Sequence, residues 1–255
     1  MEADRLDQEH YLYRHIFGTN ALVSLPKPNR CLDIGCGTGI WLLEMAADYP
    51  WTQFVGVDIA THHPDLTLPS NVTFQQGDVM DGLPFSMQSF DYIHVRMLAT
   101  GIHASRWISL LQEIFRVTSV GGFVEIVESD YLHHRTGPAG DQINAWIQEI
   151  TLERGMDLGC IHRLETDLEA VGFTDIECEA VSVPTGGGWG GTVGQLSINN
   201  YESVLRTLTP RIRAFGVEAE EVERIFQKWR TEVEECQSHW NIRTFVCRRP
   251  LSSAS

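Results

Sequence analysis

Positive charge is scarce in this chain. Lysine and arginine together number 19 against 34 aspartates and glutamates, a formal net charge of −15. Phosphate backbones and anionic membrane surfaces are gripped by clustered Lys and Arg, so neither nucleic acid nor a membrane is an expected partner and a small-molecule substrate is. The six cysteines, at 31, 36, 160, 178, 236 and 247, form no C-x-x-C pair. They read as reduced thiols of an intracellular protein, not as a disulfide framework. No segment approaches the ~18 consecutive apolar residues of a membrane span. The start of the chain, Met1-Glu2-Ala3-Asp4-Arg5-Leu6-Asp7, is acidic where a secretory signal would be basic and then apolar. A cytoplasmic location follows, with the nucleus as the alternative. Internal repeats are absent as well. At 255 residues the chain suits one domain with a sizeable core.

What the chain does have is alternation. From Cys31 to Glu128 short apolar runs predict strands at 30–34, 53–58, 72–76, 91–95 and 122–128, separated by turns and helical patterns. Alternating β and α elements argue for a parallel sheet covered on both faces. Ile40 to Ala47 reads as a helix. Trp107, Leu110, Leu111, Ile114 and Phe115 place a clear apolar face on a helix over 105–116. Residues 4–17 show a weaker helical period, and Ser24 to Pro28 a proline-marked connection. Beyond Glu128 the period predicts helices over 141–152, 161–171 with Gly172 as a stop, and 222–233, with strands over 174–183 and 243–248. Thr185 to Thr192, rich in glycine and lacking a phosphate-loop lysine, reads as a mobile connector. Leu251 to Ser255 reads as a frayed tail.

The densest chemistry lies at Cys31-Leu32-Asp33-Ile34-Gly35-Cys36-Gly37-Thr38-Gly39, a strand end running into a turn with glycine at alternate positions. Such glycines permit positive φ and let a ligand lie against main chain without a Cβ. Val55-Gly56-Val57-Asp58, about 20 residues on, ends a second strand in a carboxylate, the spacing of an acid that closes over a ribose. A dinucleotide dehydrogenase is the competing reading, but its fingerprint is G-x-G-x-x-G, whereas Gly35, Gly37 and Gly39 are evenly spaced.

These strings resemble the first motif and the second-strand acid of class I S-adenosylmethionine-dependent methyltransferases. More widely, the run from Leu32 to Trp41, Phe90 to Leu98, Leu111 to Glu128 and the tail ending Arg249-Pro250 resemble the branch that holds fungal secondary-metabolism methyltransferases and the velvet-complex regulator. The resemblance implies a Rossmann-like, doubly wound, mostly parallel seven-stranded sheet in one domain over 1–255. It also implies a helical lid at 1–28 and cap insertions at 131–160 and 185–240, expected over the carboxyl ends of the strands. The glycine-rich 186–191 departs from the branch, so no substrate preference carries over.

S-adenosylmethionine is then the expected cofactor. Asp58, with Ile59 beside it, would take the ribose hydroxyls. Gly77, Asp78 and Val79 resemble the adenine-contacting motif. Asp33 would anchor the ammonium, and backbone amides around Gly35 and Gly37 would approach the carboxylate, with Cys36 and Gly39 as further cofactor-binding residues of the turn. His94 would emerge near the methionine end, and Tyr13 would fold over from the lid. Methyl transfer is a displacement at an activated carbon, so positioning is most of the task; an acceptor with a proton also needs a base, usually histidine. His133, His134 and His94 are the candidates, with His103 and His239 behind them and Glu128 or Asp130 to orient one. A divalent metal is not expected, because Asp78, Glu128 and Asp130 reproduce no recognisable ligand spacing. The expected activity is methylation of O, N or S of a small natural product. The alternatives are a regulatory protein working through a protein partner or as a homodimer, and a cofactor-binding enzyme whose sulfonium charge assists a rearrangement or cyclisation.

Overall fold

The computed structural model describes residues 2–24, 27–60 and 68–251. The connection expected at 24–28 lies partly outside them, and of the expected frayed tail only Leu251 falls within, exposed. The element order is α1 (Glu2–Phe17), β1 (Arg30–Ile34), α2 (Ile40–Asp48), β2 (Gln53–Asp58), β3 (Val72–Gln76), β4 (Phe90–Arg96), α3 (Trp107–Val117), β5 (Thr118–Ser129), α4 (Pro138–Glu153), α5 (Leu164–Val171), β6 (Thr174–Pro184), α6 (Gly187–Ala214), α7 (Ala219–Glu235) and β7 (His239–Arg248). The seven strands form one sheet in the order β3-β2-β1-β4-β5-β7-β6, of which β3-β2-β1-β4-β5 pair in parallel. The expected α/β architecture is therefore the one observed. The strand order reverses between β1 and β4, the switch point at whose carboxyl side ligands bind in such sheets.

The chain divides into two compact units. The larger comprises residues 17–128, 159–179 and 243–255. Its central strands β1, β2 and β4 are buried along most of their length, as expected where both faces of a parallel sheet are covered. Trp41, Leu42 and Met45 of α2 pack with Cys31, Phe54, Val72 and Tyr92. Gly56 makes that packing possible, since a Cβ there would meet Leu42 Cδ1 at 2.5 Å, Cys36 Sγ at 2.7 Å and Phe74 Cδ1 at 2.9 Å. The stop at Gly172 is formed as expected, with the glycine in the left-handed region and its N–H bonded to the carbonyls of Leu168 and Glu169.

The other unit comprises residues 1–16, 129–158 and 180–242. Its core joins Ile143, Trp146 and Ile150 of α4 to Leu205 of α6 and Phe226, Trp229 and Val233 of α7. Two carboxylates of α7 cap its neighbours. Glu232 accepts from the amides of Ala139 and Gly140 at the start of α4, and Glu234 from those of Gly188 and Trp189 at the start of α6. Neither helix supplies its own side-chain cap, so the orphan N–H groups of a helix start are met from across the bundle.

That arrangement corrects the expectation for 185–192. The glycine run is no connector but the first turns of α6, kinked at Gly191. Most of its glycines answer to close approach, and Gly191 to the positive φ of the kink. A Cβ at Gly186 would stand 2.8 Å from the Glu234 carboxylate, and one at Gly194 would stand 2.1 Å from the Gly186 carbonyl oxygen. Period and composition also missed the remainder of α6, and β7 begins at His239, four residues before the expected 243.

Gly56→Ala is expected to lower stability by about 1–3 kcal/mol, the usual cost of overpacking. Chemical denaturation of the two proteins measures it, and an unchanged midpoint would mean that α2 does not sit so close to β2.

Candidate functional site

The turn after β1 is held by the end of β2. Gly35 N–H and Cys36 N–H both donate to Val57 O, at 2.8 and 3.1 Å, and Gly37 N–H donates to Asp58 Oδ2 at 2.9 Å. Gly39 N–H donates to Cys36 O at 2.8 Å. The amides of Gly35 and Gly37, around which a ligand carboxylate is expected, thus bond protein acceptors, as do those of Cys36 and Gly39. The glycines serve the path of the chain: φ is +72° at Gly35, +52° at Gly37 and +75° at Gly39, where α2 begins. The Cys36 thiol is buried and lies over Gly56, so it faces the core. Burial pushes its pKa up, with the Asp33 and Asp58 carboxylates adding to the effect.

Beneath the turn lies a layer of buried polar side chains that the pairing of β1, β4 and β5 creates. Asp33 stands opposite His94, and His94 opposite Glu125. Asp33 Oδ1 and His94 Nδ1 are 2.8 Å apart, and the His94 ring, only 2% exposed as a residue, stacks on Trp41 at 4.1 Å with the planes 2° apart. An ionised carboxylate only accepts, so Nδ1 carries the proton of that bond. Glu125 Oε2 accepts from Tyr92 Oη and from the Leu22 amide, both at 2.7 Å. Trp41 Nε1 donates to Asn20 O at 2.7 Å. The segment entering β1 is thus tied to the helix leaving the turn. Tyr92, Glu125 and Trp41 were not singled out by sequence reasoning; the polar residues at 92 and 125 inside apolar strands were the available signal.

At the carboxyl ends of β2 and β3, Asp58 pairs with Gln76 in register. Besides Gly37, Asp58 accepts from the Ala60 amide through Oδ1 at 2.8 Å. One lone pair on each oxygen remains for a ligand, since a carboxylate accepts about four hydrogen bonds. Ile59 beside it is 64% exposed, a bare apolar side chain next to an acid. Gly77 N–H bonds Asp58 O, and Gln76 Nε2 bonds Ile59 O, which draws the two strand ends together. Asp78 Oδ1 accepts from Met80 N–H at 2.9 Å and caps a 3₁₀ turn in which Val79 is buried. These residues fit a nucleoside: a carboxylate for a diol, an apolar flank, and a second carboxylate. Such a donor set suits S-adenosylmethionine.

Most of the remaining candidates lie in the other unit. Tyr13 is buried in α1. His133 is buried, its Nε2 2.9 Å from Thr185 Oγ1 and its ring 3.9 Å from that of Tyr201. Burial pushes its pKa down to about 3, with His134 and His239 adding to the effect. His134 is 41% exposed at its side chain and bonds Asp130 Oδ2 through Nε2 at 2.6 Å. His239 pairs with His134 in an isolated antiparallel bridge, the rings stacked at 5.5 Å. In the larger unit, His103 caps a 3₁₀ turn and Glu128 accepts from the amides of Leu98 and Ala99. Among the described residues no group of three or more His, Cys, Asp and Glu is placed to hold a metal ion, and no helix is long and apolar enough to cross a membrane.

Comparison with known proteins adds three findings. A family model described as a methyltransferase domain matches residues 7–178. The chain is 34% identical over 138 residues to the secondary metabolism regulator laeA of Coprinopsis cinerea, a match covering 51% of this chain and 34% of that protein. It is 30% identical over 270 residues to the regulator of the same name from Aspergillus fumigatus, covering 99% of this chain and 71% of that one. The first of these relatives is thus spanned over only about a third of its length. Among solved structures, phosphoethanolamine N-methyltransferase 2 of Haemonchus contortus superposes with a TM-score of 0.56 at 20% identity, covering 94% of this chain and 56% of that one.

Two measurements follow from the site. Because the folded-state pKa of His133 is depressed from 6.5 to about 3, the unfolded chain binds the extra proton within that window. Its stabilising contribution is complete above pH 6.5 and is lost as pH falls, at up to about 1.4 kcal/mol per unit. Urea midpoints from pH 7 to 5 should drop, and His133→Gln should flatten the slope; an unchanged slope would show that His133 does not carry it. Cys31, Cys36, Cys160 and Cys247 are buried, whereas Cys178 and Cys236 are half-buried. Ellman's reagent should therefore label the latter two first and the other four only on denaturation. Rapid labelling of Cys36 would contradict the packing over Gly56.

Proposed function

The chain belongs to the methyltransferase-domain family, and on that premise we propose that it methylates O, N or S of a small natural product of secondary metabolism. S-adenosylmethionine, when bound, supplies a methyl group activated by a sulfonium. The observation that carries the reading is the edge formed by Asp58, Ile59, Gly77, Asp78 and Val79 beside the glycine turn. Asp58 holds the ribose diol while fixing Gly37. Ile59 and Val79 flank the adenine, and Asp78 takes its amine. Asp33, clamped by His94, sets the floor from which the turn springs.

Function is argued here from the site, since the fold alone hosts many chemistries. The net charge of −15 supports a small acceptor over nucleic acid. Residues 131–160 and 185–240, mostly in the smaller unit, are our candidates for recognising that acceptor, with Tyr13 of α1 as a further contributor. The relatives' description as regulators supports a second reading, action through a protein partner. Stoichiometric co-purification of a partner, with no small product formed, would favour it.

Incubation with methyl-labelled S-adenosylmethionine and a fungal metabolite extract should label a small product; label confined to protein would sink the first reading. Asp58→Ala should weaken S-adenosylhomocysteine binding about tenfold to a hundredfold, the worth of a charged hydrogen bond. Unchanged affinity by calorimetry would remove Asp58 from the site.

A further inference from the structure

Buried N–H groups in proteins are nearly always paired, and the smaller unit holds two ring nitrogens that are not. His133 Nδ1 and Trp229 Nε1 belong to residues 3% and 0% exposed, and neither has a hydrogen-bond partner among the described residues. The two rings stand 5.6 Å apart, with the Tyr201 ring 3.9 Å from the first and 5.6 Å from the second. An indole N–H can only donate. Whether His133 Nδ1 also donates depends on its tautomer, which the neighbouring hydroxyls decide.

Trp240 Nε1–H donates to Ser197 Oγ at 2.8 Å, Ser197 Oγ lies 3.3 Å from Thr185 Oγ1, and Thr185 Oγ1 lies 2.9 Å from His133 Nε2. Ser197 accepts from the indole, so its own hydrogen is directed at Thr185. Thr185 then donates to His133 Nε2, and the imidazole proton sits on Nδ1. In the opposite direction the Ser197 hydroxyl hydrogen would be buried without an acceptor among the described residues, since Ser197 is 1% exposed. The backbone of His133 is held as firmly as its ring. Its N–H donates to Asn144 Oδ1 at 3.0 Å, and Asn144 Nδ2 donates to its carbonyl at 2.8 Å. On either side, Tyr131 and Arg135 have φ of +56° and +55°. That region is disfavoured for residues with a Cβ and persists where the surroundings over-determine it, as at ligand sites.

We propose that His133 Nδ1–H and Trp229 Nε1–H bind the carbonyl oxygen of a small, uncharged aromatic molecule inside the smaller unit. A carbonyl oxygen has two lone pairs, one for each donor. Both donors are neutral at pH 7, because burial holds His133 well below its usual range. The Asp130 carboxylate is close enough to push the pKa of the buried Tyr201 phenol further up. A carboxylate ligand would therefore lose its water and meet negative charge in place of a cation. The rings of Tyr201 and Trp229, set in an apolar core, suit an aryl group. Binding here requires no cofactor and is independent of methyl transfer.

The test uses the full chain labelled with 15N-histidine and 15N-tryptophan, without cofactor, and acetophenone as the probe. The Trp229 Nε1–H and His133 Nδ1–H resonances, identified as those lost in Trp229→Phe and His133→Phe, should move downfield and saturate. Ethylbenzene, which lacks the oxygen, should leave them in place, and benzoate should bind about tenfold more weakly than acetophenone. His133→Phe keeps a ring but removes the donor, and should weaken acetophenone about tenfold, the worth of one hydrogen bond. Thr185→Val leaves the histidine in place while freeing its tautomer, and should weaken acetophenone as well. A proton on Nε2 in the wild type, equal shifts with ethylbenzene, benzoate binding as tight as acetophenone, or an indole resonance that ignores acetophenone would overturn the proposal. So would Overhauser contacts from both N–H groups to a water that acetophenone does not displace, which would assign the place to an internal water.

Discussion

Three hydrogen bonds from the end of β2 hold the turn that leaves β1. Val57 O takes the amides of Gly35 and Cys36, and Asp58 takes that of Gly37. Without them the turn would carry buried, unpaired N–H groups, each costing about 1–3 kcal/mol. With them, one carboxylate is committed to the backbone at the strand end where we propose that a nucleoside binds. The position of the acid and the path of the glycines are therefore a single structural fact. Gly56 extends it, because the same strand must be bare of a side chain for Cys36 and Leu42 to settle on it.

The polar layer under the turn has the same logic. Buried charge is tolerated only when hydrogen-bonded, and here parallel register puts an acid of β1 against a histidine of β4, and a glutamate of β5 beneath a tyrosine. Stacking of His94 on Trp41 joins that layer to α2. Such a network favours one arrangement of the turn, since a half-satisfied network would be costlier than an apolar one. Under the proposed function, this hydrogen-bonded layer would be the floor of the cofactor site, which suits a reaction governed by alignment.

The smaller unit depends on two glutamates. Glu232 and Glu234 sit two residues apart on α7 and hold the starts of α4 and α6. They bear on a stretch that composition described as a loop: of the five glycines from Thr185 to Gly191, Gly186 and Gly188 leave no room for a Cβ beside the Glu234 carboxylate, while Gly190 lies against Pro184 and Gly191 has a positive φ at the kink. Helix propensity argues against a helix there, and tertiary capping overrides it. In the same unit, burial leaves His133 in the core while His134, next in sequence, reaches solvent with a carboxylate behind it.

The sequence by itself determined the parallel sheet, the glycine turn, the acid at the end of β2 and the Gly77-Asp78 step. The first three follow from periodicity and spacing within about 30 residues, where local sterics and hydrophobic burial decide the outcome, whereas Gly77-Asp78 was legible only through its resemblance to the family's adenine-contacting motif. Tertiary structure alone decided which amides of the turn were already engaged, that the glycine run opens a helix, and how the histidines differ. His94 meets Asp33 across 61 residues and His133 meets Thr185 across 52. Neither meeting leaves a local trace, because strand register and helix packing bring the partners together. A histidine's chemistry is set by those partners and by its burial.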